Sequence, residues 1–527
     1  MGLTMSSTIR RKDSPLEVTS RARRATLALV AASALFVLLL VPNGLAQRGD
    51  ANSITVAQGL DPRSLSPLSS TTQQEKNVSG QIVERLIIYS HDGSGYIPIL
   101  AREWEMIEPD TLQLRLREGV SFTNGEPFNA EAAAYSVNLM LQAPAYLGFT
   151  GMIDRAEVVD DYTINVFTKQ PAPERLVVTA LALGSFVYPP VHTEEVGYLE
   201  GFATAPIGTG PFMLREWLKD EAVILDANPD YWGGQPRIDT LIFRPIPEGS
   251  ARVAALEAGD IDFSIEIPLD AWQRVSTNPD LVAINFGGGR AFRLTFATLW
   301  EGPLANRTVR EALSHAVDRE SIVEFMFSGL GQLLDGQPLT PATAGFNPEL
   351  HNVPYDPERA RELLAEAGYP DGFEMTFKYS SGRYAQDRAV GELIAAQFEE
   401  IGVTVNQVVL ESGEFLTQLN ALELRDAFYS GGLSPTDGHF QYTTYTCGFR
   451  YAYWCNEEFD ALLAQAQFET DPAVRETLYQ QAGALLHEDF AILPLFTTND
   501  LYAHSPEVTG FEPMLDQFLD FRALDKE

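Results

Sequence analysis

Alternating apolar and polar positions predict strands at Ser53–Ala57, Thr111–Leu116 and Glu157–Phe167. Shorter apolar runs at Val223–Leu225, Leu241–Phe243 and Val403–Val408 read the same way, and Gln81–Ile88 is apolar-rich ahead of a turn at Asp92-Gly93-Ser94-Gly95. A Pro/Gly cluster at Pro206–Pro211 marks a boundary. The period changes in the second half. Val309, Leu313, Ala316 and Val317 form the apolar stripe of a helix over Thr308–Phe327, and Asp387–Glu400 is a helix closed by Gly402. Asn129, Asp356 and Asp471 are placed as N-caps, the last two followed by Pro357 and Pro472 at the first helical position. The helix after Asp471 runs to about His487, and Ile492–Phe496 is a short apolar run near the C-terminus. Strands and helices mix throughout with no repeat of fixed period, which predicts an α/β chain of several domains.

The N-terminus carries a different pattern. Arg10, Arg11, Lys12, Arg21, Arg23 and Arg24 precede an apolar run of 17 residues, Ala25–Val41, and Pro42-Asn43-Gly44-Leu45-Ala46 supplies small residues for cleavage after Ala46. Residues 1–46 are therefore expected to be an export signal, with an uncleaved anchor as the alternative. Arg23-Arg24 leaves the choice of export route open. Export bears on Cys447 and Cys455, the only two cysteines, eight positions apart: an oxidising compartment favours a disulfide between them over two reduced thiols.

Composition removes several classes of function. The 527 residues hold 37 Lys+Arg against 72 Asp+Glu, a net charge of −35, too few clustered cations for nucleic acid or a basic membrane surface. The seven histidines are scattered and form no ligand pair for a metal. Gly208-Thr209-Gly210-Pro211 lacks the third glycine of a dinucleotide turn, and Pro211 removes a backbone donor that a phosphate needs. Gly287-Gly288-Gly289 is followed by Arg290 rather than Lys-Ser/Thr, and no Gly-x-Ser-x-Gly elbow is present. No catalytic constellation stands out.

Four groups of segments together resemble the family 5 extracellular solute-binding proteins, the dipeptide/oligopeptide group of ABC importers. They are Leu112–Phe128 with Asn129-Ala130-Glu131; Pro206–Phe212 with Asn228–Pro236 and Leu256–Asp262; Pro303–Leu313 with Ala316–Arg319; and Tyr355–Pro370. The resemblance implies a two-lobed periplasmic-binding-protein-like α/β fold of the large cluster C type, without catalysis, cofactor or metal. Lobe I would comprise residues 47–91, 203–290 and a C-terminal return at 491–527, with an inserted subdomain at 92–202; lobe II would span 291–490. It further implies a monomer in the periplasm or outside the cell. That monomer would capture a small solute, a di- or oligopeptide first, and hand it to a membrane permease served by ATPase subunits. An oligosaccharide or other amine-free ligand is the alternative cargo, and a secreted hydrolase using a carboxylate pair is the alternative of another class.

By the same resemblance Arg383, in Ser380-Ser-Gly-Arg-Tyr-Ala-Gln386, matches the arginine that clamps a ligand carboxylate, with Tyr384 beside it. The acid that holds a peptide amino group would fall near Leu433-Ser434, where there is none; Asp437 is the substitute, with Ser434 and His439 in the same segment. Trp454 and the neighbouring Tyr445, Phe449, Tyr451 and Tyr453 are candidates to pave the pocket, or to be core. Tyr231-Trp232 is expected to be a packing anchor.

Overall fold

β-Branched and aromatic runs from both halves of the chain meet in one eleven-stranded sheet. The computed structural model describes residues 52–70, 72–433 and 437–527; the expected export signal and Ser434 lie outside them. Numbered in chain order, the strands are β1 (Ser53–Gln58), β2 (Phe212–Leu218), β3 (Ala222–Ala227), β4 (Thr240–Pro245), β5 (Phe263–Ser264) and β6 (Val282–Phe296). They continue with β7 (Gly331–Leu333), β8 (Glu374–Ser381), β9 (Thr404–Glu411), β10 (Ala427–Leu433) and β11 (Ile492–His504). Their order is β9-β8-β10-β6-β11-β5-β1-β4-β3-β2, with β7 paired to β11 off this path. A four-stranded antiparallel sheet (Ala101–Glu108, Thr111–Leu116, Thr163–Thr168, Ile153–Asp160 in spatial order) stands apart from it.

The buried apolar side chains fall into separate cores. One joins β1 and β4 to the segment Val78–Tyr89, the four-stranded sheet and the C-terminal Met514–Leu524. A second joins Phe292, Leu294 and Phe296 of β6 to β8, the helix Asp387–Glu400 and Leu493, Leu495 and Phe496 of β11. Among the described strands, β6 and β11, antiparallel partners, run from one core into the other. Ile284 and Phe286 of β6 and Tyr502 of β11 pack on the first core, and the opposite ends of both strands pack on the second.

The crossing is built from residues with little side chain. The register slips between Phe286 and Arg290, so Gly287–Gly289 form a bulge. A Cβ on Gly288 would come within 2.0 Å of the Thr498 carbonyl oxygen, so glycine is required for the strands to approach there. The apolar run Ile492–Phe496, read above as the return to lobe I, belongs to the second core; β11 crosses at Thr498–Asp500. Apolar residues lie on both sides of the crossing, so alternation alone does not mark it.

Local signals translate directly. The Asn129 side chain accepts from Ala132 N, Asp356 from Arg359 N, and Asp471 from Ala473 N and Val474 N, each opening the expected helix. Two expectations change. The helix expected over Thr308–Phe327 ends at His315, because Asp318 caps a new turn by accepting from Ser321 N. Glu157–Phe167 is a hairpin turning at Asp161-Tyr162, whose exposed Val158 and Val159 obscure its period. Tyr231-Trp232 is an anchor: the Tyr231 hydroxyl and Trp232 Nε1 donate to the buried Glu84 carboxylate at 2.7 and 2.8 Å, with Thr209 Oγ1 at 2.8 Å.

Candidate functional site

At the crossing of β6 and β11 both cores wall a cavity of about 1440 Å³, larger than the usual site for a drug-sized molecule. The first core contributes helix Gln73–Ser79 and the segment Ile265–Asp270. The second contributes the loop Gly382–Gln386 and Ser430–Gly432 of β10; the segments 440–445 and 450–454 complete the wall from smaller clusters, with Phe440 packed on the first core.

Arg383 and Tyr384 are both on the wall. The Asp387 carboxylate sets their loop: it accepts from Ser380 Oγ, Gly382 N, Arg383 N and Tyr384 N at 2.9–3.2 Å and is 3% exposed. Gln386 completes the turn in the left-handed region (φ 58°). Arg383 Nε donates to the Tyr384 hydroxyl at 2.8 Å, and that hydroxyl donates to the Gly431 carbonyl at 2.7 Å. Arg383 Nη1 donates to Ser412 Oγ at 3.2 Å, and no carboxylate of the described residues lies within salt-bridge distance of the guanidinium.

Asp437 and His439, the candidates from that segment, are not among the residues lining the cavity. Asp437 is fully buried and pairs with both terminal nitrogens of Arg475 at 2.8 and 2.9 Å. It also accepts from His439 N, capping the short helix Gly438–Tyr442. It bears on the cavity through this helix, which carries Phe440 and Gln441 to the wall. His439 packs against Phe440 and Tyr479 off the cavity, and burial lowers its pKa to about 4, so it is uncharged at neutral pH.

The aromatic cluster divides. Tyr445, Tyr451, Tyr453 and Trp454 line the cavity; Phe449 packs edge-on against Tyr451 with ring centroids 4.6 Å apart. Trp454 is anchored from behind by Nε1 donating to Asp489 and by its ring on Phe459. Tyr453 sits between Phe428 and Trp300. Cys447 and Cys455 form the expected disulfide, closing the loop that presents these rings.

The cavity also holds carboxylates that sequence reasoning missed. Glu266, Asp270 and Asp500 line it, the last at the β11 crossing. Asp500 Oδ1 accepts from Gln517 Nε2 at 2.6 Å, whereas Oδ2 is buried with no partner. Burial raises the Asp500 pKa to about 6. The only sequence signal for it is the polar break Thr497–Asp500 in an otherwise apolar strand. The native state holds this proton more tightly than the unfolded chain, whose carboxyl titrates near 3.8. Stability is therefore lost as pH rises through this interval, and the cost is fully present above about pH 6. Asp500→Asn is expected to raise ligand-free stability at pH 7.5 by about 3 kcal/mol and to leave it unchanged near pH 3.5. Denaturant unfolding at the two pH values checks this; an equal effect at both contradicts it.

Two cores joined by two crossing strands, with a cavity of mixed charge walled by both, define a binding protein that encloses its ligand. The family model for bacterial extracellular solute-binding proteins, family 5 (middle), matches residues 95–452, and the chain belongs to that family. It is 27% identical over 497 residues to the glutathione-binding protein GsiB of Pectobacterium atrosepticum, covering 90% of this chain and 94% of that one. It is 29% identical over 466 residues to heme-binding protein A of Haemophilus influenzae, covering 82% and 84%. The ABC transporter-associated periplasmic binding protein DppA from Helicobacter pylori, solved in complex with the peptide STSA, superposes with a TM-score of 0.80 at 26% identity, covering 90% and 98%. The fold is thus the mixed α/β fold of the cluster C periplasmic binding proteins. The chain is an extracytoplasmic, non-enzymatic substrate-binding component of an ABC transporter. The hydrolase alternative is overturned. Among the described residues no helix is long and apolar enough to cross a membrane.

Proposed function

We propose that this protein captures a di- or oligopeptide between two lobes and delivers it intact to a membrane permease driven by ATPase subunits. The lobes part at the β6–β11 crossing, near residue 290 and again at Thr498–Asp500. The protein acts as a monomer, exported by residues 1–46. The observation that carries the reading is the mixed charge of the cavity: Glu266, Asp270 and Asp500 share its wall with Arg290, Arg293 and Arg383. A zwitterion needs both signs, and an amine held by Asp500 offsets the cost of burying that carboxylate. Ligand contacts made by both lobes exist only in the closed state, so the closed population rises by that difference in affinity. The tyrosines and Trp454 on the wall favour a second reading, an oligosaccharide cargo.

Titration with a peptide panel tests the proposal: a ligand is expected to raise the melting temperature and contract the scattering curve, and to be recovered unchanged. Unaltered scattering and melting across peptides and sugars would refute it. Within the reading, Arg383 holds the ligand carboxylate. Arg383→Ala is expected to weaken free-acid peptides by about tenfold or more and their esters far less. Equal losses by calorimetry would remove Arg383 from the site.

A further inference from the structure

One guanidinium on the cavity wall has no hydrogen-bond acceptor among the described residues. Arg293 lies on β6 opposite Ser430 of β10 and Pro494 of β11. The β6–β11 register slips between Phe292 and Arg293, and Pro494, which cannot donate to a ladder, sits at that slip. A bulge re-aims the side chains on either side of it, and both Phe292 and Arg293 line the cavity. Gly432 on β10 leaves room for the guanidinium: a Cβ there would lie 3.3 Å from Arg293 Nη1.

The other cavity cations have a hydrogen-bond acceptor or are at least partly exposed. Lys76 and Arg450 lie over the rings of Tyr146 and Tyr451; Arg252 donates to Ile246 O, Pro247 O and Glu266 O; Arg290 donates to Gln517. Arg383 has Tyr384 and Ser412. Arg293 has only the face of Tyr445, 5.4 Å away, while its Nε and Nη1 are buried without an acceptor. Gln441 Nε2 and the Tyr445 hydroxyl, in the same part of the wall, are also buried; they lie against each other and Thr444, with no well-formed hydrogen bond among the described residues. A buried guanidinium with no acceptor among the described residues, beside two poorly satisfied donors, costs stability in the empty protein. An anionic acceptor supplied by the ligand removes that cost.

We infer that Arg293, with Gln441 and Tyr445, forms a second carboxylate subsite, so that the cargo is a small solute carrying two carboxylates. The inference rests on the carrier reading above and narrows it. One carboxylate meets Arg383 and the other meets Arg293; both arginines border the Ser430–Gly432 edge of β10, Arg383 by way of Tyr384 and Gly431. Neutral sugars and monocarboxylic peptides leave Arg293 unsatisfied.

The dipeptides Ala-Glu and Ala-Gln differ by one carboxylate at nearly constant shape, and calorimetry with this pair reads the subsite. Ala-Glu is expected to bind about thirtyfold more tightly. Arg293→Met abolishes that preference, whereas Arg293→Lys and Tyr445→Phe retain part of it; the last two serve if the methionine variant does not fold. Arg383→Met weakens both dipeptides and preserves the preference. Native mass spectrometry of the protein from its source identifies the resident solute independently. A dicarboxylic solute retained by the parent and lost from Arg293→Lys or Arg293→Met supports the subsite even if neither dipeptide binds, and then only the peptide reading falls. Equal binding of the two dipeptides, a preference unchanged in every Arg293 variant, or a neutral or monoanionic resident solute overturns the subsite and leaves the carrier standing. Absence of any resident solute together with no binding of either dipeptide overturns both.

Discussion

Replacing Asp437 by asparagine is expected to destabilise the protein by about 3–5 kcal/mol, although the side chain touches no ligand. The fully buried carboxylate faces two nitrogens of Arg475, itself 6% exposed, and Arg475 Nη2 also donates to the Tyr479 hydroxyl at 2.6 Å. Asparagine keeps the shape and removes the charge, leaving a guanidinium in an apolar setting among Tyr479, Leu478 and Ala482. Desolvation of the unpaired cation, rather than loss of an attractive pair, dominates the cost. The double variant Asp437→Leu/Arg475→Met should therefore recover most of the stability that Asp437→Asn loses. Denaturant unfolding of the three proteins decides it; a double variant no better than the single one would locate the effect in the helix cap instead. Helix Gly438–Tyr442 carries Phe440 and Gln441 to the cavity wall, so losing the Asp437–Arg475 pair behind it should also weaken ligand binding when measured below the unfolding transition.

The same residue shows where sequence reasoning stops. Asp437 was found because its segment departs from the pattern of the family's relatives, but chain position cannot show which partner holds a carboxylate. Arg475 is 38 positions away on another helix, and its two terminal nitrogens hold that carboxylate. Features decided by neighbours in the chain were legible: the caps Asn129, Asp356 and Asp471, the paired cysteines and the loop bearing Arg383. Family resemblance supplied the architecture, and local pattern supplied many of its elements. Features decided by register were not legible. Arg293 lies in an apolar strand whose bulge forms only against β11, and Asp500 gains its meaning from the crossing with β6 and from Gln517. Neither occupies a recognisable motif. A charged residue inside a strand-like apolar run is the one trace that both leave in the sequence.

Asp387→Ala is expected to destabilise by about 3 kcal/mol or more and to damage the site through its support. One carboxylate collects the Ser380 hydroxyl and the backbone N–H groups of Gly382, Arg383, Tyr384 and Arg388. Alanine leaves these donors without their acceptor, and the turn at Gln386, held in a sparsely populated conformation, loses what fixes it. Arg383 then samples many rotamers in place of the one tied to Tyr384 and Ser412. Affinity for a carboxylate ligand should fall by about tenfold, because ordering the loop becomes part of binding. Hydrogen exchange separates this from a global effect: the amides of 382–384 should lose protection under conditions where those of β8 keep theirs. Asp387→Asn retains one acceptor oxygen and should fall between alanine and the parent in both measurements. If the loop amides stay protected in Asp387→Ala while affinity drops, the carboxylate acts on the ligand directly; if affinity is unchanged while protection is lost, Arg383 is not held in place by this loop.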